Sequence, residues 1–323
     1  MANKFFTIQK KYNISVISPC FNEEENINQF VERILALKLI NELVLIDDGS
    51  TDKTVKKIIK TQKKFSSTES STKITLIQFT RNFGKESAML AGLDYIKDRF
   101  DAAIIIDSDL QHPPETIPSM ITAWQNGAEI VTAVRDDRNA DSLVKYASAS
   151  IFYKVFNWLA DSIQLKSDVG DYRLLNYQAI NVLRSMREYY RFSKGLIPWT
   201  GFSSVEVSYH HGSRYKGSSS WNTIKLFRYA IDSVFSFSDL PLKIWAFIGL
   251  IISSVSILYS FIIVFRTVFF GIDIPGYASL IVAILFLGGV QLIGIGVLGD
   301  YIGKIFLNSK TRPHYIIRKI DQN

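Results

Sequence analysis

Cysteine is almost missing from this 323-residue chain, in which Cys20 stands alone. One thiol closes no internal disulfide and builds no cysteine-based zinc site, which excludes a disulfide-stapled scaffold and fits a reducing compartment. Charge is also sparse, 21% of residues against 47% hydrophobic, and so apolar a chain is not disordered. No G-x-x-x-x-G-K-[ST] phosphate loop and no H-E-x-x-H zinc helix occurs. One G-x-G-x-x-G string does, Gly294 to Gly299. It lies inside an apolar run, follows no strand and has no acid placed for a ribose, so it reads as helix-packing glycine rather than a dinucleotide loop. Met1 to Asn13 lacks the apolar core of a signal peptide. His210 and His211 are adjacent and read as ordinary, partly exposed histidines.

What is present is unevenly distributed. Ile244–Phe265 and Ala278–Gly299 are each 22 residues without a charge. At 1.5 Å per residue either helix would cover about 33 Å, enough to cross a hydrocarbon core of about 30 Å. Lys243 precedes the first run, and Lys304, Lys310, Arg312, Arg318 and Lys319 follow the second. The positive-inside rule then places residues 1–243 and the tail in the cytoplasm. Thr223–Leu242 repeats apolar residues at helical spacing (Leu226, Ala230, Val234, Phe237), with Lys225, Arg228 and Asp232 elsewhere on the wheel. That suits a helix lying in the membrane interface, although an ordinary surface helix has the same pattern. The expected organisation is a cytoplasmic domain over 1–222, a juxtamembrane helix over 223–242, two spans within 243–300 and a basic tail over 301–323.

The first 140 residues alternate short β-rich runs with amphipathic stretches. Strands are expected at Ile14–Ser18, Glu42–Asp47, Ile74–Phe79, Ala102–Ile106 and Ala128–Ala133. Helices are expected at Glu24–Leu37, Thr51–Lys64 and Lys85–Asp98. Repeated βα units give an α/β fold with a mostly parallel sheet and helices on both faces. Ligands of such sheets bind at the carboxyl ends of the strands. Here those loops are Pro19–Glu24, Asp47–Asp52, Arg81–Lys85, Asp107–Pro114 and the position of Arg135, so carboxylates and basic groups meet on one edge.

Asp107 and Asp109 flank Ser108 at the end of the apolar run AAIII, with Gln111 two residues on. Two solvated loop aspartates would be the plain reading of that pair by itself. Magnesium, however, commonly binds through only one or two carboxylates and completes its shell with water and substrate phosphates. A D-x-D at a strand end, beside such loops, therefore reads as a metal–diphosphate site.

The ordered set of motifs resembles glycosyltransferase family 2 with its GT-A (Rossmann-like) fold. Within it the chain is most similar to the polyprenyl-phosphate glycosyltransferases, the group of dolichyl-phosphate mannose synthase and the bacterial GtrB-type glucosyltransferases. The resemblance rests on SPCFNEEENI (Ser18–Ile27), LIDDGSTDKT (Leu45–Thr54), RNFGKESAMLAGL (Arg81–Leu93), IIIDSDLQHPPE (Ile104–Glu115), DVGDYRLLN (Asp168–Asn176), KGLIPWTGF (Lys194–Phe202) and the two spans.

What this resemblance implies is specific. Pro19, Phe21 and Glu23 would hold the nucleotide. Asp47 and Asp48 would face base and ribose, with Ile46 lining the same pocket. Asp107 would contact the nucleotide, Lys85 and Ser108 would belong to the donor site, and Asp109 and Gln111 would hold Mg²⁺ or Mn²⁺ and the diphosphate. Arg135 and Arg214 would face phosphates, and Arg173, Arg191 and Lys216 are further candidates. Asp168 and Asp171 would order these arginines or meet the sugar. Several relatives carry a lysine where this chain has Ser220, and Lys216 is the candidate substitute.

The implied reaction is inverting, metal-dependent sugar transfer from a nucleotide donor to a polyprenyl phosphate at the cytoplasmic face of a bacterial inner membrane. The resemblance favours UDP-glucose and undecaprenyl phosphate, with GDP-mannose, UDP-N-acetylglucosamine and UDP-4-amino-arabinose behind. It also suggests a homo-oligomer, a tetramer first. A processive synthase would need Gln-x-x-Arg-Trp and more spans, neither of which is present. A non-catalytic scaffold would not need an intact D-S-D-x-Q. The net charge of +7 is explained by membrane-side lysines without invoking nucleic acid.

Overall fold

The computed structural model describes residues 12–66, 72–136, 154, 156–157, 169–209, 240–270 and 276–322. Its centre is an eight-stranded sheet in the order β7-β5-β6-β4-β1-β2-β3-β8. The strands are β1 (Ile14–Cys20), β2 (Glu42–Asp47), β3 (Lys73–Phe79), β4 (Ala102–Ile105), β5 (Ile130–Arg135), β6 (Val169–Asn176), β7 (Ser204–Tyr209) and β8 (Ile317–Gln322). The helices are α1 (Ile27–Ala36), α2 (Thr54–Ser66), α3 (Lys85–Tyr95), α4 (Ile117–Gln125), α5 (Tyr177–Ser185), α6 (Ser193–Trp199), α7 (Leu240–Phe270) and α8 (Tyr277–Ser309).

Strands β1 to β4 are mutually parallel, as the βα alternation requires. They are buried on both faces, which explains why they read as continuous apolar runs rather than alternating ones. Val16, Leu43 and Leu45 point into one core with Ile27, Phe30 and Ile58 of α1 and α2. Ile17, Val44 and Ile46 point into the other with Ala88, Met89 and Ala91 of α3 and Ile180 and Leu183 of α5. Gly92 lets α3 lie close to the sheet: a Cβ there would run into Ile17 and stand 3.1 Å from Ile46 Cδ1.

The expected fifth strand is β5, shifted two residues towards the carboxyl end. Three strands were not foreseen. β6 runs antiparallel between β4 and β5, β7 lies parallel outside β5, and β8 pairs antiparallel with β3. The last of these changes the reading of the tail. Residues expected to form a basic extension close one edge of the sheet, because Ile317 and Ile320 supply β-branched positions within an otherwise charged run. Ordering this segment needs β3 as template, so its own sequence does not announce it.

α7 and α8 have 31 and 33 residues and contain apolar windows at Leu242–Tyr259 and Phe286–Ser309. Phe247, Leu250, Phe261, Phe286 and Leu292 are all more than half exposed. Helices this long with such apolar surfaces suit a hydrocarbon environment. The two helices touch near Gly294, where a Cβ would lie 3.7 Å from the Trp245 ring; Gly296 and Gly299 of the same string meet nothing within 4 Å. The expected juxtamembrane helix lies outside the described residues, apart from its end at Leu240, where α7 begins.

Candidate active site

The carboxyl ends of β1, β2, β3 and β4 open onto a cleft of about 590 Å³. Its lining comprises Pro19 and Cys20 at the end of β1 with Phe21 and Glu23 after it, Asp48 after β2, Asn82, Gly84 and Lys85 after β3, and Asp107, Ser108 and Asp109 after β4. Four separate loops thus contribute to one site, as expected for ligand binding on an open α/β sheet.

Much of the motif chemistry holds these loops to one another. Asn22, at φ +56°, donates its backbone N–H to Ser50 Oγ at 3.0 Å and accepts from Thr51 N at 2.9 Å. Glu23 N donates to Thr54 Oγ1 at 2.9 Å, and Glu24 N to Asp52 Oδ2 at 3.1 Å. Gly49 turns at φ +73°, where a Cβ would lie 2.5 Å from the Arg81 carbonyl carbon. Only glycine fits a left-handed turn pressed so closely against another backbone. Ser108 Oγ donates to Pro19 O at 3.1 Å, joining the first and fourth loops.

Asp48 accepts from Phe83 N at 2.6 Å and Gly84 N at 2.9 Å, fixing the entry to α3. Burial pushes its carboxyl up to about 6, against the pull of those two N–H groups. Asp47 does not line the cleft and receives Ser50 N at 3.3 Å on both oxygens, while Ile46 is wholly buried under α3. Burial likewise pushes the Asp47 carboxyl and the Cys20 thiol upward.

The cleft floor carries a three-member charge bridge. Lys85 Nζ stands 2.7 Å from Asp107 and 2.7 Å from Asp171, which comes from β6. Burial opposes the ammonium, but the two carboxylates outweigh it and hold Lys85 above the ordinary lysine range. For Asp171, burial acts upward and is overcome by Lys85 and Lys194, so its carboxyl sits below the usual range. Asp109 lines the open cleft, and its Oδ1 receives Gln111 N at 3.1 Å. Behind Asp107, His112 packs against the Tyr172 and Tyr209 rings, with its buried Nδ1 3.8 Å from Asp107 Oδ2.

The remaining expected residues are distributed differently. Arg173 is only 2% exposed and donates from Nε to Gly170 O at 3.2 Å; it does not line the cleft. Arg191 donates to the carbonyls of Met186 and Leu183 and closes the end of α5. Arg135 ends β5, separated from β4 by β6, and does not line the cleft. Arg214, Lys216, Ser220 and Asp168 lie outside the described residues. Asn82, Cys20 and Gly84 join the lining without a residue-level signal of their own, although all three fall within the strand-end loops. The pairing of Asp171 with Lys85 has no signal in the sequence, since nothing local shows that β6 runs beside β4.

Among the described residues no group of three or more His, Cys, Asp and Glu is assembled for a metal ion. The acceptors that are present, Asp109 beside the Asp107–Lys85 bridge in an open cleft, fit an ion held by few protein oxygens and completed by ligand phosphates.

Residues 15–184 match the family Glycosyl transferase family 2. The chain is 41% identical over 308 residues to an uncharacterized glycosyltransferase of Synechocystis sp., covering 94% of each. It is 42% identical over 313 residues to the bactoprenol glucosyl transferase of Shigella phage SfV, covering 96% of this chain and 99% of that one. A crystal structure of glucosyl-3-phosphoglycerate synthase from Mycobacterium tuberculosis, in complex with Mn²⁺ and UDP-glucose, aligns with 69% of this chain and 77% of its own. Its TM-score is 0.44 at 18% identity.

Proposed function

This chain belongs to glycosyl transferase family 2 and is a glycosyltransferase, and from that premise we propose that it moves glucose from UDP-glucose to a polyprenyl phosphate at the cytoplasmic membrane surface. The observation that carries the reading is the joining, in one chain, of a strand-end cleft lined by Asp48, Lys85, Asp107 and Asp109 to two long, apolar, exposed helices. Full-length similarity to a bactoprenol glucosyl transferase supports glucose and a lipid carrier. A polyprenyl tail stays in the bilayer, so an enzyme that uses one must be held at its surface.

The acceptor nucleophile is a phosphate oxygen. A phosphomonoester has its second pKa near 6 and is largely dianionic at neutral pH, so no side chain needs to remove a proton. The oxygen attacks the anomeric carbon, the bond from that carbon to the donor diphosphate breaks, and UDP leaves with the electron pair. In-line displacement inverts the anomeric centre, giving a β-linked lipid from an α-linked donor. The protein's contribution is alignment and charge neutralisation. Asp48 and the first loop frame the nucleoside end, and Lys85 holds Asp107 in place. Asp109 and Gln111 would hold Mg²⁺ or Mn²⁺, which supplies positive charge beside the departing diphosphate.

The test reconstitutes the purified protein in vesicles containing undecaprenyl phosphate and supplies labelled UDP-glucose, GDP-mannose, UDP-N-acetylglucosamine or UDP-4-amino-arabinose. Label should enter the lipid phase from UDP-glucose fastest. Chelator should stop it, and Mg²⁺ or Mn²⁺ should restore it. Transfer confined to another donor overturns the sugar; label remaining in the aqueous phase with every donor overturns the acceptor.

A further inference from the structure

We propose that the chain leaving α8 is a bracket that sets the cleft at a fixed height and orientation over the bilayer, with Asn308, Tyr315 and β8 as positioning residues for the lipid acceptor. This rests on the lipid-acceptor reading above. The uncharged run of α8 ends at Gly299, and Asp300 and Lys304 follow within the same helix. From Asp300 to Ser309 the helix rises about 15 Å, enough to traverse the headgroup layer and reach the catalytic domain.

There it is gripped twice. Asn308 Oδ1 accepts from Tyr189 N at 2.9 Å, and Lys304 Nζ lies 5.7 Å from the Tyr190 ring centre. A few residues on, Ser193 N donates to Glu86 in the first turn of α3, at 2.9 Å. The helix end is thereby tied to the segment that borders the cleft loop. After seven connecting residues, 310–316, the chain enters β8.

The direction of β8 matters. Because it is antiparallel to β3, its first residue, Ile317, pairs with Phe79 at the carboxyl end, while Gln322 pairs with Thr75. The chain therefore enters the sheet on the edge that bears the cleft. Thr80 N donates to Ile316 O at 3.0 Å, and Arg318 Nη2 donates to Thr80 O at 3.0 Å. Tyr315 stacks on Phe79 with ring centres 5.3 Å apart and planes 6° from parallel. Phe79 in turn meets Phe83, whose backbone is held by Asp48 in the cleft wall.

The Tyr315 hydroxyl also donates to Asp94 of α3 at 2.8 Å, where Arg184 and Arg187 converge. Burial would raise the Asp94 carboxyl, but the bonds from Arg187 and Tyr315 outweigh it and keep it below the usual range. The bracket is thus clamped by an ionised, multiply bonded group as well as by strand pairing. Free of it, the domain would hang from the bilayer only by the chain before α7.

Lengthening the connection tests this without removing the strand. Ten or twenty Gly/Ser residues are inserted after Lys310 in the full-length protein, with Asn308→Ala to release the upper grip. Effective concentration falls as roughly the −3/2 power of tether length, so against seven native residues transfer to undecaprenyl phosphate in vesicles should drop, by at most about fourfold and about eightfold since the chain before α7 still tethers the domain. Turnover of a short, water-soluble prenyl phosphate in detergent, and the KM for UDP-glucose, should stay at the wild-type value. Vesicle transfer that does not respond to insert length overturns the bracket. So does an equal loss on both acceptors, which would mean the tail only supports folding. Wild-type protein that uses neither acceptor overturns the lipid-phosphate reading, and the bracket's purpose with it.

Discussion

Replacing Lys85 by methionine isolates the charge bridge at the cleft floor. The substitution keeps an unbranched stem and removes the ammonium that stands 2.7 Å from both Asp107 and Asp171. Two carboxylates that touched one nitrogen are then left within about 5.5 Å of each other, a repulsion of about 3 kcal/mol at an effective dielectric constant of 20. Lys85 is 38% exposed and Asp107 26%, against 17% for Asp171, so water screens part of it. The loss should fall between the 0–1 kcal/mol of an exposed pair and the 3–5 kcal/mol of a broken buried one, at about 2 kcal/mol. For a domain of this size that lowers Tm by about 4–8 °C. Adding Asp171→Asn to Lys85→Met removes the repulsion, so the double variant should regain about 1–2 kcal/mol over Lys85→Met by itself. Sugar transfer should remain low in both, since Asp107 has lost its holder. Thermal melts in detergent and initial transfer rates read the two effects separately. A Lys85→Met protein melting within 1 °C of wild type, or a double variant less stable than Lys85→Met, would refute the bridge.

Other perturbations address other parts of the site. Asp109→Ala should abolish transfer while leaving Tm and membrane insertion near wild type; near-normal turnover would remove Asp109 from the diphosphate site. Asp48 has a folded-state pKa of about 6 against 3.8 for an ordinary aspartate. Its contribution to stability is therefore fully present below pH 3.8 and is lost as pH rises through 6. Wild-type Tm should fall relative to Asp48→Asn over that window, and parallel melting curves would contradict the assignment. Gly49→Ala meets both a left-handed φ and the Arg81 backbone, so it should cost about 1–3 kcal/mol and weaken UDP-glucose binding. Unchanged binding by calorimetry would show that the turn does not shape the cleft.

The local and the global parts of this protein were unequally legible. The β1–β4 core could be read because buried parallel strands are continuous apolar runs, and β2 at Glu42–Asp47 coincides with the expected strand. Asp48, Asp107, Asp109 and the Pro19–Glu23 loop could be placed on one edge because βα alternation dictates which strand ends share it. β6 was hidden, since VGDYRLLN alternates charge and apolar residues in a way that does not reveal its partner. The same limit applied to Arg173: a sequence supplies a guanidinium but not whether it meets solvent, ligand or, as here, the Gly170 carbonyl in a buried layer.

The order of residues alone determined the α/β class, the strand-end loops and the two apolar helices, because each follows from interactions within a few residues or one helix length. Tertiary structure alone decided that Lys85 would bridge Asp107 to a residue 86 positions further along the chain, and that the last residues would return to the sheet beside β3. Both join distant segments through hydrogen bonds and charges whose partners are fixed only once the sheet has assembled.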